Sequence, residues 1–241
     1  MNITETLAQE LNLRPEYVEN VISLLDEGNT IPFIARYRKE MHGSMDDQVI
    51  RQLSDRVTYL RGLEKRKEDV MHAISEQGKL TDALKKSIES ADTLTAVEDL
   101  YLPFRPKRKT RASAARAKGL EPLATRLIVG TKQSVEALAQ EFVSAEQEVN
   151  TWQDALSGAM DILAEDCSVN AALRGHLRAL IRNTGELVSS GKEVEKTVYE
   201  KYGAFSSPIR RIQSHQVLAL NRGEREKLLK VEVVCDDEPA L

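Results

Sequence analysis

The chain is poor in the residues that break helices and in those that favour strands: 12 glycines, 7 prolines and 5% aromatics in 241 residues. That scarcity argues against an all-β fold, which needs frequent turns and many β-branched or aromatic positions, and favours helix. Cysteine is scarcer still. Cys167 and Cys235 match no metal-ligand spacing and cannot make a disulfide framework, as expected of a reducing compartment. No uncharged stretch approaches the roughly 20 apolar residues that cross a bilayer. The start, Met1-Asn2-Ile3-Thr4-Glu5, has neither the basic residues nor the apolar run of a signal peptide. A cytoplasmic, mostly α protein with no membrane partner is the expectation.

What is abundant is charge. With 34 Lys+Arg against 38 Asp+Glu the net charge is −4, but the distribution is uneven. Residues 105–118 hold seven bases (Arg105, Lys107, Arg108, Lys109, Arg111, Arg116, Lys118) and no acid, whereas 232–238 hold four acids and no base. Exposed charges are screened beyond about 8–10 Å, so a local basic segment attracts a polyanion whatever the sign of the whole.

Helical periodicity dominates. Pro15 suits a first turn, with Val18, Val21, Ile22 and Leu25 on one face, Gly28 in place to cap the end, and Asn29-Thr30 as turn and N-cap. A second helix opening at Ile31-Pro32 puts Ile34 and Tyr37 inward and Arg36, Arg38 and Lys39 outward. The pair fits a helix-turn-helix and equally an ordinary helical hairpin. Ser44 with Asp47 reads as a capping box opening a spine helix over 45–77, with Ile50, Leu53, Val57, Leu60, Leu63, Val70, Met71 and Ile74 in register and Gly78 at its end. Glu64 and Lys67 interrupt the stripe. Such a helix is about 50 Å long, longer than the roughly 46 Å diameter of a compact globule of this size, so an elongated scaffold is expected.

Further along, Thr81 starts one helix, Thr95 with Glu98 forms a second capping-box pattern, and Pro103 and Pro106 force an extended break. A helix over 110–118 closes at Gly119, and Pro122 opens the next. Thr151 and Asp154 cap a helix with Leu156, Met160 and Leu163 inward, and Leu173, Leu177, Leu180 and Ile181 mark another. Ser206-Ser207-Pro208 reads as a break. Leu229-Lys230-Val231-Glu232-Val233 is the one strand, its partner either an earlier segment such as 186–189 or something beyond this sequence. The organisation expected is 1–43 as a helix-turn-helix-like element, 44–226 as a helical region, and 227–241 as a strand and linker.

No catalytic constellation emerges. His42, His72, His176 and His215 lack HxxxH or HExxH spacing, and adjacent acid pairs such as Asp46-Asp47 and Glu165-Asp166 diverge by about 100° on a helix. Carboxylates beside Cys167 disfavour its thiolate. Phosphate-loop, dinucleotide and nucleophile-elbow motifs are missing. The residues point to no enzyme, cofactor, metal or small-molecule substrate. The basic segment is the better candidate: Arg105, Lys107, Arg108, Lys109 and Arg111 suit phosphate, and Tyr101 and Phe104 beside them offer stacking. The competing reading is a solvated face, or one that pairs with acids of the spine helix.

Three blocks go beyond general pattern. Asn29-Thr30-Ile31-Pro32-Phe33-Ile34-Ala35-Arg36-Tyr37-Arg38-Lys39-Glu40 with Gly43-Ser44, Leu100-Tyr101-Leu102-Pro103-Phe104-Arg105-Pro106-Lys107-Arg108-Lys109-Thr110-Arg111, and Ser214-His215-Gln216-Val217-Leu218-Ala219-Leu220-Asn221-Arg222-Gly223-Glu224 together resemble the Tex family of bacterial transcription accessory proteins. The resemblance implies an N-terminal helical fragment of a longer protein. That longer protein would continue into a ribonuclease-H-like domain without a working active site, helix-hairpin-helix elements and a C-terminal OB fold carrying most of the RNA binding. It implies a non-catalytic role in transcription, with nucleic acid and the transcription machinery as partners. Arg36, Arg38, Lys39, Arg105, Lys107, Arg108, Lys109 and Arg111 are the candidate contact residues. The alternative is a pure protein-interaction module, the basic segment serving intramolecular packing.

Overall fold

A computed structural model describes residues 2–105, 109–130, 132–191, 194 and 197–236. The chain forms two compact units, 1–105 and 106–241. Among the described residues it is mostly α, with one small sheet near the C-terminus.

The first unit comprises α1 (Ile3–Leu11), α2 (Pro15–Asp26), α3 (Ile31–Tyr37), α4 (Lys39–His42), α5 (Asp47–Glu76), α6 (Asp82–Glu89) and α7 (Leu94–Tyr101), then a 3-10 turn, Leu102–Phe104. The spine helix is α5, 30 residues long. Its inward stripe is Ile50, Leu53, Val57, Leu60, Leu63, Lys67, Val70 and Ile74, all buried. Leu7, Val18, Val21, Leu24 and Ile34, with Ile88 and Val97, complete this core. Steps of three and four keep the stripe on one face of the helix. The flanks of the stripe are fastened by charge: Arg56 to Glu10 of α1, Arg61 to Asp26 of α2 and Arg66 to Glu98 of α7.

Lys67, which breaks the apolar pattern, lies within the stripe at 3% exposure. Its Nζ donates to Glu64 Oε1 and to the Glu89 carbonyl, each at 2.9 Å. The long stem packs as an apolar residue would, while the ammonium ties α5 to the end of α6. Burial raises the Glu64 carboxyl, but its hydrogen bond from Lys67 and nearby positive charge outweigh this and hold it below the ordinary value.

Several local expectations shift. The N-cap of α5 is Asp46, whose side chain accepts from Val49 N at 2.8 Å, not Ser44. Gly43 and Ser44 both take left-handed backbone, φ 63° and 62°, so the chain turns a corner before the helix begins. Thr93 rather than Thr95 caps α7, accepting from Ala96 N, and Glu98 turns to arginines. Tyr37 is 63% exposed instead of inward. The helix stops at Tyr37, with Arg38 at φ −131°, and the ring rests against Phe33 at 5.3 Å.

The second unit runs α8 (Arg111–Ala117), α9 (Glu121–Val129), α10 (Val135–Gln140), α11 (Trp152–Val169), α12 (Ala171–Thr184), β1 (Glu186–Ser190), β2 (Ala204–Pro208), α13 (Ser214–Arg225) and β3 (Lys230–Val234), with short 3-10 turns between. Thr151 and Asp154 form the expected capping box. The buried stripe of α11, however, is Ala155, Ala159 and Ile162, and Met160 is 60% exposed. Ala112 and Ala115 of α8 share that core, so small side chains face one another and the helices approach closely. Of the large apolar residues expected inward, Leu156 and Leu163 pack on the edge of this core and Met160 does not. Leu173, Leu177, Leu180 and Ile181 do mark a helix, yet no residue of α12 is buried.

The strand near the C-terminus has its partner inside the chain: β3 pairs antiparallel with β1, Ser189 opposite Val231. The supposed break at Ser206–Pro208 is strand β2, which completes the order β2-β1-β3. Serine gives little strand signal, and Pro208 sits at the end of an edge strand, where a missing N–H costs no ladder bond. Leu187, Phe205 and Val231 pack from the sheet onto Val194, Tyr199, Leu220 and Leu229.

Replacing Lys67 with Met keeps the stem but orphans the Glu89 carbonyl. It should lower unfolding stability by about 1–3 kcal/mol in denaturant titration, short of a fully buried broken pair because water still reaches Glu64. Gly43→Ala would drive a Cβ into the Tyr17 ring, whereas Gly28, also left-handed, has open space around it. Gly43→Ala should therefore cost about 2–3 kcal/mol and Gly28→Ala about 1 kcal/mol. The carboxyls of Glu10 and Asp26 lie below their ordinary values, chiefly through hydrogen bonds from Arg56 and Arg61, with burial opposing and charge adding. Depressed carboxyls contribute stability that is present above the ordinary carboxylate range and lost as pH falls through the folded values. The melting-temperature gap between wild type and Glu10→Gln/Asp26→Asn should thus be widest near neutrality and close below about pH 4.

Candidate nucleic-acid interface

The first basic group is built by the turn into α3. Asn29 holds that turn, its Nδ2 donating to the Leu24 carbonyl at 2.9 Å. Pro32 sits in the first turn of α3, and Ile34 anchors the helix in the core at 0% exposure. The Ile34 carbonyl accepts from Nε2 of buried His42 at 3.1 Å, which locks α4 beneath α3. The carbonyl partner puts the His42 proton on Nε2, and Nδ1 has no partner. His42 is thereby a packing residue of this corner.

On this frame the three predicted cations differ. Arg38 lies over the Phe33 ring at 5.2 Å and donates to the Tyr37 carbonyl. Arg36 and Lys39 are exposed and make no ion pair among the described residues. They line one open depression together with Ser44, Asp46 and Asp47 at the start of α5, so two acids stand close to these two bases.

In the second block the aromatic residues are committed to packing. Tyr101 has Arg66 and Arg105 against its ring, at 5.4 and 5.5 Å. Glu98 pairs with both guanidinium groups, Arg66 Nε at 2.6 Å. Phe104 packs on the first core and its carbonyl accepts from Gln77 Nε2 at 3.0 Å. Lys107 and Arg108 lie outside the described residues. Lys109 is exposed, and Arg111, 89% exposed, stands 3.5 Å from Asp161. Residues of this segment that were not candidates carry the stronger pairs. Arg116 reaches Glu165 and Asp166 at 2.5 Å and Glu121 at 3.6 Å. Its hydrogen bond to Glu165, against burial and with the neighbouring charges, raises its pKa further. Thr110, which caps α8 in a box with Ser113, donates to the same Glu165. Lys118 binds the Glu148 carbonyl at 3.0 Å.

The structure therefore keeps the predicted cations in two groups, Arg36/Lys39 in the first unit and Lys109/Arg111 in the second, and ties Arg105 and Arg38 to intramolecular partners. The third block is structural. Leu220 is buried, and Arg222 shares Glu226 with the Tyr199 hydroxyl at 3.0 and 2.8 Å. Among the described residues there is no cluster of three or more His, Cys, Asp or Glu arranged to hold a metal, and no helix long and apolar enough to cross a membrane.

Similarity to known proteins agrees with the three blocks. Residues 1–75 match the family described as the Tex-like protein N-terminal domain, and 131–240 match the family described as Tex central region-like. The chain is 45% identical over 244 residues to the transcriptional accessory protein Tex of Neisseria gonorrhoeae, covering 99% of this chain and 32% of that one. It is 44% identical over 236 residues to the uncharacterized protein YdcI of Bacillus subtilis, covering 96% and 33%. It is 32% identical over 246 residues to the human S1 RNA-binding domain-containing protein 1, covering 98% and 24%. The chain spans about a third of the length of the bacterial relatives. With both family regions matched in order along the chain, and relatives 44–45% identical over nearly all of it, the chain belongs to the Tex family, of which it carries the N-terminal and central regions.

Proposed function

We propose that this chain is the scaffold region of a Tex-like transcription accessory factor, and that it binds nucleic acid without making or breaking a bond. The observation that carries this reading is the set of cations left for an outside partner. Arg36, Lys39 and Lys109 have no carboxylate partner among the described residues, and Arg111, though 3.5 Å from Asp161, is almost fully exposed. Family membership supports it, since one relative is named for transcription and another for RNA binding. On this reading α2 and α3 form a helix-turn-helix-like pair with Arg36 on its open side, the ligand is RNA or DNA held through phosphates, and the protein works in the cytoplasm alongside the transcription machinery. A second reading, a protein-interaction module, is favoured by Arg105, Arg116 and Lys118, whose charges are spent on Glu98, Glu165, Asp166 and Glu148.

Fluorescence anisotropy with labelled single-stranded RNA and duplex DNA across a salt series separates the two. Each phosphate contact removed should flatten the log K against log salt slope by roughly 0.7 on a single strand and 0.9 on duplex. Arg36→Ala/Lys39→Ala and a Lys107/Arg108/Lys109/Arg111→Ala variant should each flatten it. A folded wild-type chain that binds neither probe at low salt would sink the nucleic-acid reading and leave the interaction module.

A further inference from the structure

Acids are frequent in this chain, 38 in 241 residues, yet two long segments contain none: 167–185 and 201–223. Between them they carry Arg174, Arg178, Arg182, Lys201, Arg210, Arg211 and Arg222. The fold brings the two segments together at one end of the small sheet. Asn183 in the last turn of α12, Pro208 at the end of β2, and Arg210 and Arg211 after it line a single open depression. We infer that this depression is a second phosphate-contact site, taking the phosphodiester backbone of a nucleic acid through the paired guanidinium groups of Arg210 and Arg211 and the amide of Asn183.

The arrangement is held by backbone bonds rather than by the arginines. Ile209 N donates to the Gly185 carbonyl at 3.0 Å and Arg211 N to the Pro208 carbonyl at 2.9 Å, closing a tight turn against the end of α12. Gln213 Nε2 binds the Arg211 carbonyl at 3.2 Å. Both guanidinium groups are consequently left exposed, and neither has an ion-pair partner among the described residues. By contrast, Arg56, Arg61, Arg66, Arg105, Arg111, Arg116, Arg126 and Arg222 each meet a carboxylate. The acid nearest in register, Glu186 opposite Pro208, accepts from the Ser206 hydroxyl at 2.7 Å and does not line the depression.

The chemistry favours phosphate. Each guanidinium is a forked donor that matches phosphate oxygens bidentately, both line the one depression, and a neutral amide adds a donor without charge. Among the described residues the lining offers no aromatic ring to stack a base, and its guanidinium and amide donors far outnumber the one side-chain acceptor, Asn183 Oδ1, so the contact is to the backbone and independent of sequence. This differs from the corner of α5, where Asp46 and Asp47 stand beside Arg36 and Lys39. A count of basic residues misses the site because only two bases are adjacent there, and the signal is the missing acids across two distant segments.

The inference rests on the nucleic-acid reading, and the test keeps the two separable. With labelled single-stranded RNA and the whole chain, Arg210→Ala/Arg211→Ala should flatten the salt slope by roughly 1.4, two contacts at about 0.7 each, with helicity and melting unchanged. A slope equal to wild type in this variant, while Arg36→Ala/Lys39→Ala flattens it, overturns the second site and leaves the broader reading standing. No binding by the folded wild-type chain overturns both. Should the double variant fold poorly, the wild-type chain supplies the answer by reaction with an arginine-selective dicarbonyl, read by peptide mass spectrometry. RNA should protect Arg210 and Arg211 where polyglutamate at equal charge does not; equal modification with and without RNA, or equal protection by polyglutamate, overturns the site.

Discussion

Burial of one face of α5 is the constraint to which five of the other helices of the first unit answer directly, and α4 through α2 and α3. The stripe from Ile50 to Ile74 gives α1, α2 and α3, and then α6 and α7, a common wall. A helix this long gains most of its stability from such packing rather than from propensity. Burial sets how close the partner helices come but not their axial position, because an apolar stripe tolerates sliding. The paired charges supply position: Arg56 with Glu10, Arg61 with Asp26, Arg66 with Glu98 and Lys67 with the Glu89 carbonyl succeed one another along the helix. Each exposed pair contributes little energy alone, but the four are incompatible with a shift by one turn.

The same economy governs the basic segment. Its cations are divided between fastening and display, and the division follows where acids happen to stand. Glu98 draws Arg105 back onto Tyr101, and Glu165 and Asp166 draw Arg116 onto α11. A run of like charges in sequence is thus a set of separate electrostatic environments in space, and pairing with carboxylates sorts the guanidinium groups more sharply than exposure does.

How much could be read from the residues depended on the range of the interaction. The spine helix was legible because seven apolar residues of its buried stripe recur along one element, even though Lys67, also buried there, reads as a break. The Thr151/Asp154 box was legible because both partners lie within one turn. Ser44 was read as the cap because Asp47 stands at capping-box spacing, whereas the left-handed Gly43-Ser44 corner hands the role to Asp46. Met160 looked like a core residue because size is visible in a sequence and close helix approach through Ala155 and Ala159 is not. Strand β2 was lost because its residues gain strand geometry only from β1. Of the candidate contact residues, identity was legible but availability was not: nothing near Arg105 in sequence distinguishes it from Lys109, and only the fold sets Glu98 beside one of them.

The bare face of α12 has a kinetic consequence. Native proteins open in cooperative pieces, and the pieces with little buried apolar surface open first. α12 spans fourteen residues with none buried, so its amides should exchange with solvent through a local opening that leaves the sheet and the α8–α11 core closed. Its last turn carries Asn183, and the Gly185 carbonyl that follows holds Ile209. Opening of the helix would take Asn183 and that carbonyl away from the Arg210–Arg211 depression, so a ligand bound there would register in α12 as slowed amide exchange.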